Sequence, residues 1–265
     1  MTSPVTLKRD GSLAFVTLSS PETRNAISVE QTTALVDAFD EINRDVAIRC
    51  AILTAEGEVF SAGGNIKDMH ARRGHFAGNP AEIRQYYTHG VQRMARAYYA
   101  LEVPVIAAVN GPAIGAGFDI CLMADIRIAS EKAVFAESFI NLGLVSAAGG
   151  AWFLTRRLSQ ATAAELTLTG ERIEAQRALE LGVVSRVVST AALIPTATEI
   201  ALKIAAHAPH AIRLNKRLLR ESAAADLNTA LELAASLQAV AQHTDDQREA
   251  VAAAVEKRAP KFHGR

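Results

Sequence analysis

Val105-Ile106-Ala107-Ala108-Val109-Asn110-Gly111-Pro112-Ala113-Ile114-Gly115-Ala116-Gly117-Phe118-Asp119 is the stretch on which the fold of this chain turns. Its first five residues are an apolar run of strand length, and Asn110 to Gly117 is a glycine turn with a helix expected after it. A glycine turn that opens a helix aims free N–H groups at one spot, with the helix dipole behind them. That arrangement suits an anion, either a phosphate or a developing oxyanion. Taken singly, it is equally an ordinary tight turn that only glycine permits.

The same pattern stands about fifty residues earlier. Cys50 to Thr54 reads as a buried strand, and Val59-Phe60 leads into the turn Ser61-Ala62-Gly63-Gly64-Asn65. Upstream, Leu13 to Leu18 reads as a strand, followed by a loop over Ser19 to Ala26. A helix starts at Ser28 with Gln31 as a capping-box partner, and Leu35, Phe39 and Ile42 recur at helical spacing. His70 to Pro80 reads as a mobile loop, Ala81 to Leu101 as one helix, and Ile126 to Ala129 and Val134 to Ala136 as strands. Beyond Gln160 alanine-rich helices take over, broken by a strand near Val183 to Val188. Strands alternating with helices predict an α/β fold with a parallel sheet and helical crossovers. The division expected is a core over residues 1–190 and a helical subdomain over 191–265.

Composition narrows the function classes. The 265 residues carry 28 basic and 28 acidic side chains, and 49% are hydrophobic. A balanced charge offers no basic surface for nucleic acid or an anionic membrane. The most apolar stretch, Pro104 to Ile126, is interrupted by Asn110, glycines and aspartates, so no bilayer span is expected. The N-terminus lacks a signal-peptide layout, and Cys50 and Cys121 read as buried thiols of a reducing compartment; a soluble, cytoplasmic protein is the expectation. Histidines such as His70, His75, His207 and His210 show no ligand spacing, so no metal is expected. Gly115-Ala116-Gly117 lacks the third glycine of a dinucleotide turn, since Ile120 stands there. No Gly-Lys-Ser/Thr follows a glycine run, and Ser61 sits in no Gly-x-Ser-x-Gly elbow.

Read together, the turns resemble the enoyl-CoA hydratase/isomerase (crotonase) family. The resemblance is carried by Arg24-Asn25-Ala26-Ile27, Phe60 to Lys67, Pro104 to Gly111, Gly115-Ala116-Gly117 and Ala124 to Ala129. It continues through Asn141-Leu142-Gly143-Leu144, Gly149-Gly150, Leu168-Thr169-Gly170 and the tail Glu256 to Phe262. It implies a crotonase-like spiral of ββα repeats with a C-terminal helical trimerisation subdomain, in a homotrimer or a dimer of trimers. It also implies an acyl-CoA thioester as substrate, with no separate cofactor, and an oxyanion hole made by the Gly64 and Ala116 backbone N–H groups. By the same resemblance Arg24, Ala26, Ala62, Asn65, Ile66 and Lys67 would contact the CoA, and Lys261 or Phe262 would reach it from a neighbouring chain. Free lysines and Arg24 are otherwise ordinary solvated charges.

Hydratases of the family pair two glutamates. Asp119 occupies the first position here, and Phe139 the second; Ser146-Ala147-Ala148 supplies no acid where some isomerases carry one. Asp119 is therefore the expected proton carrier, although an aspartate in a first helical turn also simply favours the dipole. Glu137 is the nearest other carboxylate and a candidate, with solvent or an ion pair as its plainer destination. Asp125 reads as an ion pair with Arg127, and Phe118, Phe139 and Trp152 as acyl-pocket or core residues. One carboxylate can move a proton between two carbons of an enolate, whereas hydration must also activate water. Double-bond isomerisation is thus favoured, with hydration and non-catalytic acyl-CoA binding as the alternatives.

Overall fold

The computed structural model describes residues 3–265, with the side chain of His75 outside the described set. Strands β1 (Val5–Asp10), β2 (Leu13–Leu18), β3 (Cys50–Ala55), β4 (Val105–Val109), β6 (Ile126–Ser130) and β9 (Arg186–Val188) form one sheet in that order. The sheet is parallel from β2 to β9, as expected, but β1 runs antiparallel to β2 and makes it mixed. A smaller sheet joins β5 (Ala113–Ile114), β7 (Val134–Ala136) and β8 (Ile173–Glu174).

Successive units feed both sheets. β4, β5 and helix α5 (Ala116–Met123) form one; β6, β7 and α6 (Gly150–Arg157) form the next. In each, the first strand joins the large sheet and the second joins the small one. Ahead of them, β3 is followed by a single-residue bridge from Ser61 to Ala113 and then by α2 (Ile66–His70). The glycine turns therefore recur at one place, where the small sheet hands over to helices.

Burial along β4 explains its continuous apolar run. Val105, Ala107 and Val109 enter the main core, whereas Ile106 and Ala108 face the opposite side of the sheet. The main core includes α1 (Val29–Arg44), through Leu35, Phe39 and Ile42, and α4 (Gln92–Ala100), through Met94 and Tyr98. Ser28 caps α1 by accepting from the Gln31 N–H at 3.1 Å, but the Gln31 side chain does not reciprocate, so the capping box is half made. The second face is covered by α9 (Leu193–Ala205), whose Leu193, Ala197, Ala201 and Ala205 pack on Cys50, Ile52, Ile106 and Ala108.

Several elements differ from expectation. The helix foreseen over 81–101 is α3 (Pro80–Tyr86), a π-turn over Tyr87–Val91 and α4, with Gly90 outside helical geometry. The stretch read as a loop carries a 3-10 turn at Gly74–Phe76. Val183 and Val184 are buried before β9 rather than part of it, beyond α7 (Gln160–Thr169) and α8 (Ala175–Glu180). The chain closes with α10 (Pro209–Ser222), α11 (Leu227–Gln242) and α12 (Asp245–Glu256). Cations on one face of α10 tie it to the core: Arg213 donates to the Asn43 and Asp45 carbonyls, Lys216 pairs with Asp125 at 2.8 Å, and Arg220 donates to the Tyr99 carbonyl.

Candidate active site

The two glycine turns lie against one another. Ser61 N–H donates to the Pro112 carbonyl at 3.1 Å, and Ile114 N–H donates to the Ser61 carbonyl at 2.9 Å. Gly63 has φ +74° and faces the Ile114 carbonyl so closely that any side chain would collide with it. Ser61 Oγ donates to the Asn25 carbonyl at 2.7 Å and accepts from Gly63 N–H.

Asn25 fixes the preceding loop. Its side chain is fully buried, accepts from Ser20 N–H at 2.8 Å and donates to the Glu56 and Val59 carbonyls. Ala62 N–H then donates to the Arg24 carbonyl and Ile27 N–H to the Gly63 carbonyl. Arg24, Ala26 and Ala62 thus come to one edge. Asn65 caps α2 by accepting from Lys67 N–H at 3.0 Å, leaving Ile66 and Lys67 exposed beside it. Met69 and Phe76 lie over Gly64. Among the described residues neither Gly64 nor Ala116 gives its N–H to a protein acceptor. Ala116 is the first residue of α5, whose N-terminal N–H groups are left free by the helix itself.

Asp119 lies in the first turn of α5, and Glu137 follows the last residue of β7. Both are buried, and both converge on Gly150 at the start of α6, where a side chain would run into their oxygens. Glu137, a candidate in the sequence whose plainer destination is solvent or an ion pair, is instead buried beside Asp119, both carboxyls reaching Gly150. Asp119 is therefore not the lone carboxyl of the site. Asp119 Oδ2 accepts from Ser146 Oγ at 3.2 Å, and the Gly150 backbone lies beside the carboxyl. Neither oxygen of Glu137, nor Asp119 Oδ1, has a hydrogen-bond donor among the described residues. Gln92 Nε2 donates to the Ala147 carbonyl at 3.2 Å and holds the loop bearing Ser146.

Burial raises both carboxyls. Asp119 goes up to about 6, the effect being moderated by Glu137, Ser146 and the Gly150 backbone. Glu137 is pushed further, to about 10, by burial first and then by the charge and hydrogen bond of Asp119. Two like groups in dry contact do not ionise together, so the pair holds one proton over the neutral range.

Other expected sites resolve differently. Asp125 pairs with Lys216, while Arg127 donates to the Ala124 and Val183 carbonyls. Phe118 is core, tilted against Phe135. Phe139 is partly buried with its ring near Gly115. Trp152 is 40% exposed, with the Arg156 guanidinium 3.8 Å from its ring centre. In this chain's own fold Phe262 gives its carbonyl to Arg49 and Lys261 its N–H to Glu249. Ser146 was noted in the sequence only for not being an acid, and no local signal marked it as a partner of Asp119.

A family model described as enoyl-CoA hydratase/isomerase matches residues 8–265. The chain is 36% identical to the short-chain-enoyl-CoA hydratase of Clostridium acetobutylicum, over 96% of this chain and 95% of that protein. It is 34% identical to the 1,2-epoxyphenylacetyl-CoA isomerase of Escherichia coli, over 94% of each. Among solved structures, an enoyl-CoA hydratase from Polaromonas sp. JS666 superposes with a TM-score of 0.91 at 34% identity, covering 98% of this chain and 99% of that one.

Proposed function

Since the chain belongs to the enoyl-CoA hydratase/isomerase family and acts in the family's manner on acyl-CoA thioesters, we propose that it shifts the double bond of an enoyl-CoA through an enolate. The observation that carries this reading is the direct contact of Asp119 with Glu137 in a site closed to solvent. A hydrating site needs a water held between its acid and its base. Here the two carboxyls meet each other.

In the proposed reaction Asp119 carboxylate takes a proton from the carbon next to the thioester carbonyl. The electron pair moves onto the carbonyl oxygen, where the free N–H groups of Gly64 and Ala116 stabilise the enolate. A fixed donor of this kind is worth roughly 3 kcal/mol of barrier. The electrons then return through the conjugated system, and Asp119 delivers the same proton two carbons further along. Glu137 stays protonated behind it. Arg24, Ala26, Ala62, Asn65, Ile66 and Lys67 form the edge on which the CoA would lie, and Met69 and Phe76 shift from above Gly64 to admit the thioester.

Hydration is the second reading, favoured by the 36% identity with a short-chain-enoyl-CoA hydratase. Product analysis from 2-enoyl- and 3-enoyl-CoA separates the two. The wild type is expected to interconvert the enoyl isomers faster than it forms 3-hydroxyacyl-CoA. Asp119→Asn should retain the fold and CoA binding and lose roughly 10²-fold or more in turnover. Fast hydration with no detectable double-bond shift would reject isomerisation, and no binding of any acyl-CoA would reject the substrate class.

A further inference from the structure

We propose that Ser146 is the positioning residue that keeps Asp119 the anionic member of the buried carboxyl pair and leaves the proton on Glu137. This rests on the reading of Asp119 as proton carrier, but its physical basis is the asymmetry of donors around the pair. An ionised carboxylate only accepts hydrogen bonds, whereas a protonated carboxyl can donate one. Asp119 is offered one donor in hydrogen-bond geometry, the Ser146 hydroxyl at 3.2 Å from Oδ2, with the Gly150 backbone beside it and Oδ1 without a partner. Glu137 is offered none, and both its oxygens are sealed from water. With one proton to share, negative charge settles where donors exist, and the proton stays where they do not.

The surroundings leave Ser146 as the adjustable part of this arrangement. Burial, Glu137, Ser146 and Gly150 are what act on Asp119; burial and Asp119 are what act on Glu137. Among the described residues, no further charged group from α5, the end of β7, the 143–149 loop or α6 contributes to either shift. Gly150, at the start of α6, has no room for a side chain. Ala147 and Ala148, beside Ser146 on the loop, have no hydroxyl to replace it. Ser146 itself is half-buried, at the boundary between solvent and the sealed pair. Without it, Asp119 loses its one side-chain hydroxyl donor and holds a proton over more of the neutral range, which removes the base.

The test follows the side-chain carboxyl carbons of Asp119 and Glu137 by NMR in the full-length labelled protein, assigned through Asp119→Asn and Glu137→Gln. Across a pH series, wild-type Asp119 is expected to ionise before Glu137. Ser146→Ala should move the Asp119 midpoint up by about 1–2 pH units, the size of one lost hydrogen bond to a charged form. Ser146→Thr, which keeps the hydroxyl, should restore it. In the enoyl-CoA assay Ser146→Ala should carry the acid limb of kcat/KM upward by the same amount, lowering kcat near pH 6 with little change in KM. An unmoved Asp119 midpoint in Ser146→Ala, or Glu137 ionising first in the wild type, would overturn the proposal. The NMR arm requires no turnover. Absence of activity with a normal Ser146→Ala shift would therefore reject the proton-carrier reading and leave the Ser146 assignment standing.

Discussion

Two carboxyls buried at Asp119 and Glu137 weigh on the fold most when both are charged. Each holds its proton more tightly in the folded chain than in the unfolded one, because burial raises both above the ordinary carboxylate range. The folded state therefore binds more protons above about pH 4, and stability declines as pH rises. The Asp119 part of that decline is complete near pH 6, while the Glu137 part continues toward pH 10. Glu137→Gln removes the second part, so urea unfolding at pH 6 and pH 9 should show a smaller loss of midpoint in the variant than in the wild type. Equal losses would mean that Glu137 titrates as an ordinary carboxyl. Asp119 was legible in the sequence because it stands two residues after Gly117, where the resemblance places the family's first glutamate. Glu137 was not. It is the single residue between β7 and the 3-10 turn Ser138–Leu142, with φ −83° and ψ 64°, and that backbone direction is invisible to residue counting.

Among the elements, β3 and β4 were legible because strands covered on both faces need a continuous apolar run. β1 was missed because it is an edge strand whose Lys8, Arg9 and Asp10 face outward, which dilutes the pattern. The role of α9 was hidden for a related reason. Its contact stripe is mostly alanine, which in sequence looks like any good helix former, yet it lets the helix approach the sheet closely. Ala201 is fully buried against that face. Ala201→Phe should destabilise the chain by about 1–3 kcal/mol through overpacking, read as a lower urea midpoint with an unchanged m-value. A neutral effect would mean that α9 packs loosely on the sheet. The glycine turns were legible as turns; their mutual contact depends on Asn25 and Ser61 joining loops far apart in the chain.

The whole molecule leaves apolar surface open on its C-terminal helices. Leu219 is 75% exposed, Leu231 58% and Val255 77%. Close by, a cavity of about 880 Å³ is lined by Trp152, Ile204, Leu219 and Phe262. Leu219 at the rim of that cavity offers an apolar face to a second copy, and the family resemblance implies a trimer. Sedimentation at low micromolar protein should therefore show trimers or larger assemblies, and a pure monomer would contradict that expectation. The cover that α9 gives the large sheet also bears on synthesis. β2, β3, β4 and β6 are complete once residue 130 has been made, but α9 begins only at residue 193. At ribosomal rates of about 5–20 residues per second, Ile52, Ile106 and Ala108 wait several seconds for their lid. During that interval the nascent chain presents a bare apolar sheet face to the cell, a natural landing place for a chaperone.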